Sequence, residues 1–182
     1  MHLHDLLPEP DHVTRQSRWI AAPPDVVWGA LHAVRLSGLP LTVVLGAVRF
    51  LPVLLTGGGR AHLHDRPFLD ALPVPLLSSE PPESVVFGGA IQAWRLTGGE
   101  EPPALDADGL LAWSEPGWVK AGIDFRLTPR GHGTELSSET RVVSTDDATR
   151  RRFARYWLFV QPGSTAIRWE VLTAVELRAH GA

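Results

Sequence analysis

The chain contains no cysteine. That removes disulfides, thiolate metal ligands and a cysteine nucleophile together. Lysine is almost missing as well. Lys and Arg total 17 and Lys120 is the one lysine, so sixteen arginines remain, each capable of bidentate contacts. There is no excess of basic charge either. The formal net charge of -3 gives no electrostatic case for nucleic acid as a partner. The opening Met1-His2-Leu3-His4-Asp5-Leu6-Leu7-Pro8 lacks a basic stretch followed by an apolar run. No secretory signal is read there, and a bacterial cytoplasmic location is expected.

A comfortable membrane span is also lacking. The most apolar run goes from Leu39 to Leu55 and is interrupted by Pro40, Gly46, Arg49 and Pro52. It falls short of the ~20 residues a span needs, and an arginine within a span is costly. Stable membrane insertion is therefore not expected. The run is read as a buried or cavity-lining helix, with contact to a partner or membrane surface as the alternative.

What is present fits one domain. The length is 182 residues, with 44% apolar and 20% charged, an ordinary globular balance. Residues 1–12 read as an irregular N-terminal arm. His12 to Ala22 alternates polar and apolar residues, as a half-buried strand does. Pro23-Pro24 stops it, and a helix begins at Asp25 with Val27, Ala30, Leu31 and Val34 on one stripe. Ser37-Gly38 ends that helix and the apolar run follows as a second one, closed by Gly57-Gly58-Gly59. Prolines at 67, 73, 75, 81 and 82 limit the next stretch to short or edge strands. Ser84 to Leu96 reads as a strand with a bulge or sharp bend at Gly88-Gly89. Thr97 to Asp108 reads as a loop, and Leu110 to Trp113 as a further short strand.

Two alternating arms across residues 119–143 give the clearest local pattern. In the first, Val119, Ala121, Ile123, Phe125 and Leu127 share one face, with Lys120, Asp124 and Arg126 on the other. In the second, Leu136, Ser138, Thr140 and Val142 oppose Glu135, Ser137, Glu139 and Arg141. A turn at 129–133 joins them. The charged faces are expected to form a ladder of opposite charges across the strands. Ser138 and Thr140, on the apolar side, need hydrogen-bond partners. A helix over residues 146–180 follows, with Ser144 and Asp147 as its capping box. Pro162-Gly163 is expected to break or kink it, with Ser164 capping the restart.

Strand, two helices, several antiparallel strands and a long terminal helix make an α+β order. Three stretches carry a resemblance. They are Ile20-Ala21-Ala22-Pro23-Pro24-Asp25-Val26-Val27-Trp28, Gly133-Thr134-Glu135-Leu136 through Glu139-Thr140-Arg141-Val142, and Phe153 through Ile167-Arg168 with Tyr156-Trp157 and Pro162-Gly163-Ser164. On these the chain resembles the START-like (SRPBCC) superfamily, which includes polyketide cyclases, aromatase/cyclases and Bet v 1-type carriers. The third stretch is similar to a sub-group of uncharacterised bacterial members. The resemblance implies a helix-grip fold, a curved antiparallel sheet wrapped around a long C-terminal helix, with two helices after the first strand. It also implies a cavity for a hydrophobic or aromatic molecule, or a lipid, between sheet and helix. The liners it suggests are Phe87, Ile91, Trp94, Trp113, Ile123, Phe125, Ser138, Thr140, Phe153 and Trp157. The superfamily shares no catalytic constellation, so no catalytic residue is carried over.

Other chemistry is weak. His62-Leu63-His64-Asp65 and His2-Leu3-His4-Asp5 each offer two imidazoles beside an acid, but nothing completes a metal site at a recognisable spacing. No metal and no cofactor is expected. His32 could act as a base if its helix turned it inward. Arg141 could anchor an acidic ligand if the strand parity were shifted by one. Gly57-Gly58-Gly59-Arg60 lacks the ending of a phosphate loop, and no G-x-S-x-G elbow occurs. Arg150, Arg151, Arg152 and Arg155 read as a solvated helix face paired with Asp146 and Asp147. The expected function is binding of a small hydrophobic ligand without turnover. A cyclase-like enzyme on a polyketide or aromatic substrate is the alternative, and a contact module using Leu39–Leu55 a second one. A homodimer is left open.

Overall fold

The computed structural model describes residues 1–55, 65–95 and 100–181, and for residues 48–55 the backbone alone. Five strands form one antiparallel sheet: β1 (His12–Ile20), β2 (Leu76–Glu80), β3 (Ser84–Ile91), β4 (Val119–Arg130) and β5 (Gly133–Ser144). Their order is β1-β5-β4-β3-β2. The helices are α1 (Leu3–Leu6), α2 (Pro24–Ala33), α3 (Pro40–Leu55), α4 (Ala107–Ala112) and α5 (Asp147–His180). This is the expected helix-grip arrangement. Gly57-Gly58-Gly59, His62 and His64 lie outside the described residues, as does the start of the expected 97–108 loop.

The β4–β5 hairpin holds the expected parity. Register pairs Leu127 with Leu136, Phe125 with Ser138, Ile123 with Thr140 and Ala121 with Val142, all on the inner face. The turn needs only Gly131 and His132 between the paired Arg130 and Gly133. Gly131 takes φ +62, which glycine reaches without strain. On the same inner face β1 contributes His12, Thr14, Gln16, Arg18 and Ile20, set by the pairs Thr14–Thr140 and Gln16–Ser138. Buried Val27, Leu31, Phe153, Val171, Leu172 and Val175 pack against this face from α2 and α5.

The outer face is not simply solvated. Leu3, Leu6 and Leu7 bury against Val86, Ala90, Leu110 and Trp118, making a second small core. Residues 1–12, expected as an irregular arm, thus include a docked helical turn. Gly122 is what lets it approach, because a Cβ there would meet Leu3 Cδ1 at 2.2 Å. Arg141 also holds the arm, donating to the Leu7 carbonyl at 3.1 Å.

Several local expectations are corrected. The strand expected at residues 110–113 is replaced by helix, since Leu110 and Leu111 lie in α4, whose N-terminus is capped by Asp106 accepting from Gly109 N at 2.8 Å. The bulge sits on β2 between Leu76 and Ser78, not at Gly88-Gly89. Gly88 serves close packing instead, since a Cβ would meet Leu77 Cδ1 at 2.7 Å and Leu110 Cδ2 at 2.9 Å. The cap of α5 is Asp146, which accepts from Thr149 N at 2.9 Å, rather than Ser144. Those bonds hold the Asp146 carboxyl well below the usual carboxylate range, led by the Thr149 hydroxyl.

Helix α5 runs unbroken through Pro162. Proline cannot donate to the carbonyl four residues back, that of Leu158. Leu158 and Phe159 are 72% and 85% exposed, so water can take up the freed carbonyl. Ser164 caps no restart and instead accepts from Arg168. The N-terminus of α3 is held by the Glu170 carboxylate of α5, which accepts from Leu41 N and Thr42 N, each at 2.7 Å. The first half of α3 is not the buried helix expected: Leu41, Val43 and Val44 are exposed.

Candidate ligand-binding site

The inner face between the sheet and α5 holds most of the residues the sequence singled out. Phe87, Ile123, Phe125, Ser138 and Thr140 project from β3, β4 and β5 onto this side. Ile91 and Trp94 pack against the same core. Phe153 and Trp157 of α5 stack with centroids 5.6 Å apart, and Trp94 meets Phe153 edge-on at 6.5 Å. Arg152 lies over the Trp94 ring at 5.8 Å. Trp113 is elsewhere. It packs edge-on against Trp118 at 6.3 Å, in the outer-face core, because Leu110 is turned outward by α4.

Most of this space is filled. Phe125, Leu136 and Leu172 are essentially sealed. Ile91, Trp94 and Ile123 are only partly buried, and of these Ile123 is the most central. It sits on the inner face of the central strand and yet stays partly accessible. A row of cross-strand neighbours runs through it: Thr14, Thr140, Ile123, Phe87 and Leu76. At the Leu76 end of the row an open depression of about 390 Å³ is lined by Leu72, Val74, Leu76 and Phe87 among others.

The polar end of the row was not anticipated. Arg168 of α5 is 7% exposed. Its Nη1 donates to Thr14 Oγ1 at 2.5 Å and its Nη2 to Ser164 Oγ at 2.9 Å. Burial lowers its pKa from 12.5 to about 10, so it stays charged at neutral pH. Close by in register, Ser138 Oγ and Gln16 Oε1 are buried without a hydrogen-bond partner. One signal in the sequence pointed here. Arg168 stands at i relative to Val171, Leu172 and Val175 at i+3, i+4 and i+7, inside the stripe that faces the core. His12 was also overlooked. Its ring lies 5.4 Å from Phe153 and 5.6 Å from Trp157, and burial lowers its pKa against the opposing pull of Asp11.

The other candidates lie off this face. His32 is exposed, donates from Nδ1 to the Trp28 carbonyl at 3.0 Å, and does not turn inward. Arg141 faces outward as the parity required, paired with Glu139. The expected ladder of opposite charges is corrected by the register, which sets Asp124 directly opposite Glu139. Near the turn Arg130 of β4 does pair across with Glu135 of β5 at 3.1 Å, but further along the ion pairs run within each strand, Arg126 to Asp124 at 4.0 Å and Arg141 to Glu139. With His2 and His4 these groups line a second depression of about 410 Å³, between α1 and the outer face. Among the described residues no group of three metal-ligating side chains occurs. Arg150 pairs with Asp147 as expected, at 2.7 Å, and with Asp11 at 2.8 Å.

An antiparallel sheet with two helices after its first strand and a long terminal helix across one face defines the class: a helix-grip α+β fold. No protein-family model matches the chain, and no curated protein matches it. Among solved structures it is similar to TTHA0849 from Thermus thermophilus, at 13% identity over 93% of this chain and 98% of that one, with TM-score 0.36. It is also similar to CalU16 from Micromonospora echinospora, at 15% identity over 93% and 83%, with TM-score 0.28. A third is Ara h 8.0201, at 10% identity over 94% and 99%, with TM-score 0.31. Likeness at that level says nothing of function. The fold is read from the chain's own topology, and the function from its site. No helix among the described residues is long and apolar enough to cross a membrane.

Proposed function

We propose that the chain binds a small hydrophobic or aromatic molecule between the inner face of its sheet and α5, as a carrier or binding module. The observation that carries this reading is the row through Ile123. An apolar side chain at the centre of a covered sheet face is normally sealed. Ile123 is partly accessible, and the row ends in an open depression walled by Leu72, Val74, Leu76 and Phe87, with Asp70 beside them. Pockets of this kind combine apolar walls with a few convergent polar groups. Here those groups are Thr14, Gln16, Ser138 and Arg168.

The cyclase-like alternative has less support. A general base needs a partner that orients it and a proton within reach. His12 is the imidazole on this side, held between two aromatic rings, and among the described residues neither of its nitrogens has a hydrogen-bond partner. A contact role for α3 has one observation in its favour, the exposure of Leu41, Val43 and Val44. Flotation with liposomes and sedimentation of the free protein would test it.

Native mass spectrometry of the protein purified from its own host tests the main reading. A co-purifying apolar molecule of small mass is expected. Repeatedly empty spectra, with no change in tryptophan emission on titration with apolar probes, would overturn it.

A further inference from the structure

We infer that the bound molecule is amphipathic and carries a carboxylate, which Arg168 holds at the Thr14 end of the row. This rests on the binding reading above and names the ligand class for the same site. The first support is the company Arg168 lacks. Arg18 pairs with Glu176 at 2.5 Å, Arg35 with Asp65 at 2.8 Å and Arg150 with Asp11 at 2.8 Å. Arg168 is more buried than any of these, and among the described residues no carboxylate pairs with it. A buried charge without a counter-charge is costly to keep. Its two hydroxyl partners use two of five N–H groups. The guanidinium fork that remains matches a carboxylate in shape and charge.

The second support is independent of Arg168. Ser138 Oγ and Gln16 Oε1 are buried and unpartnered, on the same face and one inner-face step along from Thr140 and Thr14. The Ser138 hydroxyl can turn its O–H toward an anion, and Gln16, whose amide oxygen only accepts, can present its NH₂ there once the amide is turned over. Three elements, β1, β5 and α5, thus bring polar groups to neighbouring positions of the inner face.

The third support is direction. From Thr14 the row continues through Thr140 to Ile123, Phe87 and Leu76. At a strand spacing of ~4.8 Å, four steps span ~19 Å. Polarity falls along it, from guanidinium and hydroxyls to isoleucine, phenylalanine and leucine. An acid with an extended or aromatic apolar body has the same order. A free inorganic anion would leave the apolar part of the row unused, and a plain hydrocarbon would leave Arg168 unanswered.

Calorimetric titration with decanoate and with decanol, both below their aggregation limits, tests this on the intact protein. Wild type should bind decanoate more tightly than decanol by on the order of tenfold to a hundredfold. Arg168→Met should erase that preference and leave decanol binding within about threefold. Arg168→Lys should keep part of it, because charge survives without the fork. Removal of an uncompensated buried charge should leave the melting temperature of Arg168→Met equal or higher. Should that variant fail to fold, the wild-type preference and Arg168→Gln still decide the matter. Equal wild-type affinities, or a preference that survives in Arg168→Met, overturn the assignment of Arg168 and leave the binding reading intact. Binding of neither compound overturns both.

Discussion

Asp124 offers a test of the outer face in which the sign and size of the effect can be worked out beforehand. The residue sits on the central strand, beneath α1, and is 7% exposed. Its Oδ1 accepts from Glu139 N at 3.0 Å, and Arg126 stands 4.0 Å from Oδ2. Burial pushes its pKa up from 3.8 to about 6, and the directly opposite Glu139 adds to the rise. Between those two values the folded chain holds a proton that the unfolded chain has released. Stability must therefore fall as pH rises through that window and stay lower above it. At 1.36 kcal/mol per pKa unit, a shift of about two units amounts to ~3 kcal/mol. Asp124→Asn keeps an oxygen for the Glu139 N–H and removes the charge. Its stability relative to wild type should rise by about 2–3 kcal/mol between pH 4 and pH 7.5. For a chain of this size that is a melting shift of roughly 4–12 °C. Urea unfolding followed by the emission of the seven tryptophans gives the difference curve. Since burial is the largest cause, Glu139→Gln should narrow the window only slightly. A difference curve that stays flat across pH 4–7.5 would refute the reasoning, as would an Asn variant less stable than wild type at pH 7.5.

Two further substitutions probe packing and the orphaned hydroxyl. Gly122→Ala puts a methyl 2.2 Å from Leu3 Cδ1, and overpacking of that kind should cost about 1–3 kcal/mol and make residues 1–12 cleavable in limited proteolysis. In a Leu3→Ala background the penalty should shrink by at least half; equal penalties in both backgrounds would show that α1 is not the obstacle. Ser138→Ala removes a buried hydroxyl without a partner, and chemical denaturation should find it between neutral and ~1 kcal/mol more stable. A loss beyond ~1 kcal/mol would mean that the hydroxyl has a partner in the free protein.

The sequence carried the fold well where one period dominated a long element. Twelve residues in β4 and twelve in β5 gave enough alternation to set parity, and register confirmed every inner-face pair. Helix α2 was legible from its stripe and from Pro24 at its first turn. Short elements were not. Helix α4 has 6 residues and α1 has 4, too few for a period to show. Both are fixed by what they cover, the outer sheet face, and local propensity does not encode that. Glycines misled in a consistent way. Gly88 suggests a bend and Gly122 suggests nothing in particular, but their role is to admit Leu77, Leu110 and Leu3 from another layer. Pro162 misled for the converse reason, since the break it suggests is avoided where water can reach the helix.

The site was half legible. Strand parity put Ile123, Phe125 and Phe87 on the inner face, where they lie, and Trp113 packs on the outer one. The polar end of the row came from two neighbouring elements meeting α5, and no single segment announces that. An arginine in an apolar helical stripe is a local contradiction, and such contradictions concentrate at functional places.

Among the described residues both faces of the sheet hold buried polar atoms without partners, Trp113 Nε1 on the outer one, but the two treat buried charge differently. On the outer face Asp124 is buried, but the Glu139 N–H and Arg126 answer it, and Arg141 is answered by Glu139 and the Leu7 carbonyl. Polarity there ties the arm to the sheet. On the inner face Arg168 has hydroxyls in place of a counter-charge, and Ser138 Oγ and Gln16 Oε1 have no partner. A chain selected for stability alone would fill such positions with apolar side chains of similar volume, at no loss and often with a gain. Their presence together, at the Thr14 end of a row whose Leu76 end is open, is the observation on which the proposed acidic ligand rests. All three lie on the face that α5 covers, so the cost they impose falls on the contact between α5 and the sheet. That contact is the one a guest would have to open and then complete.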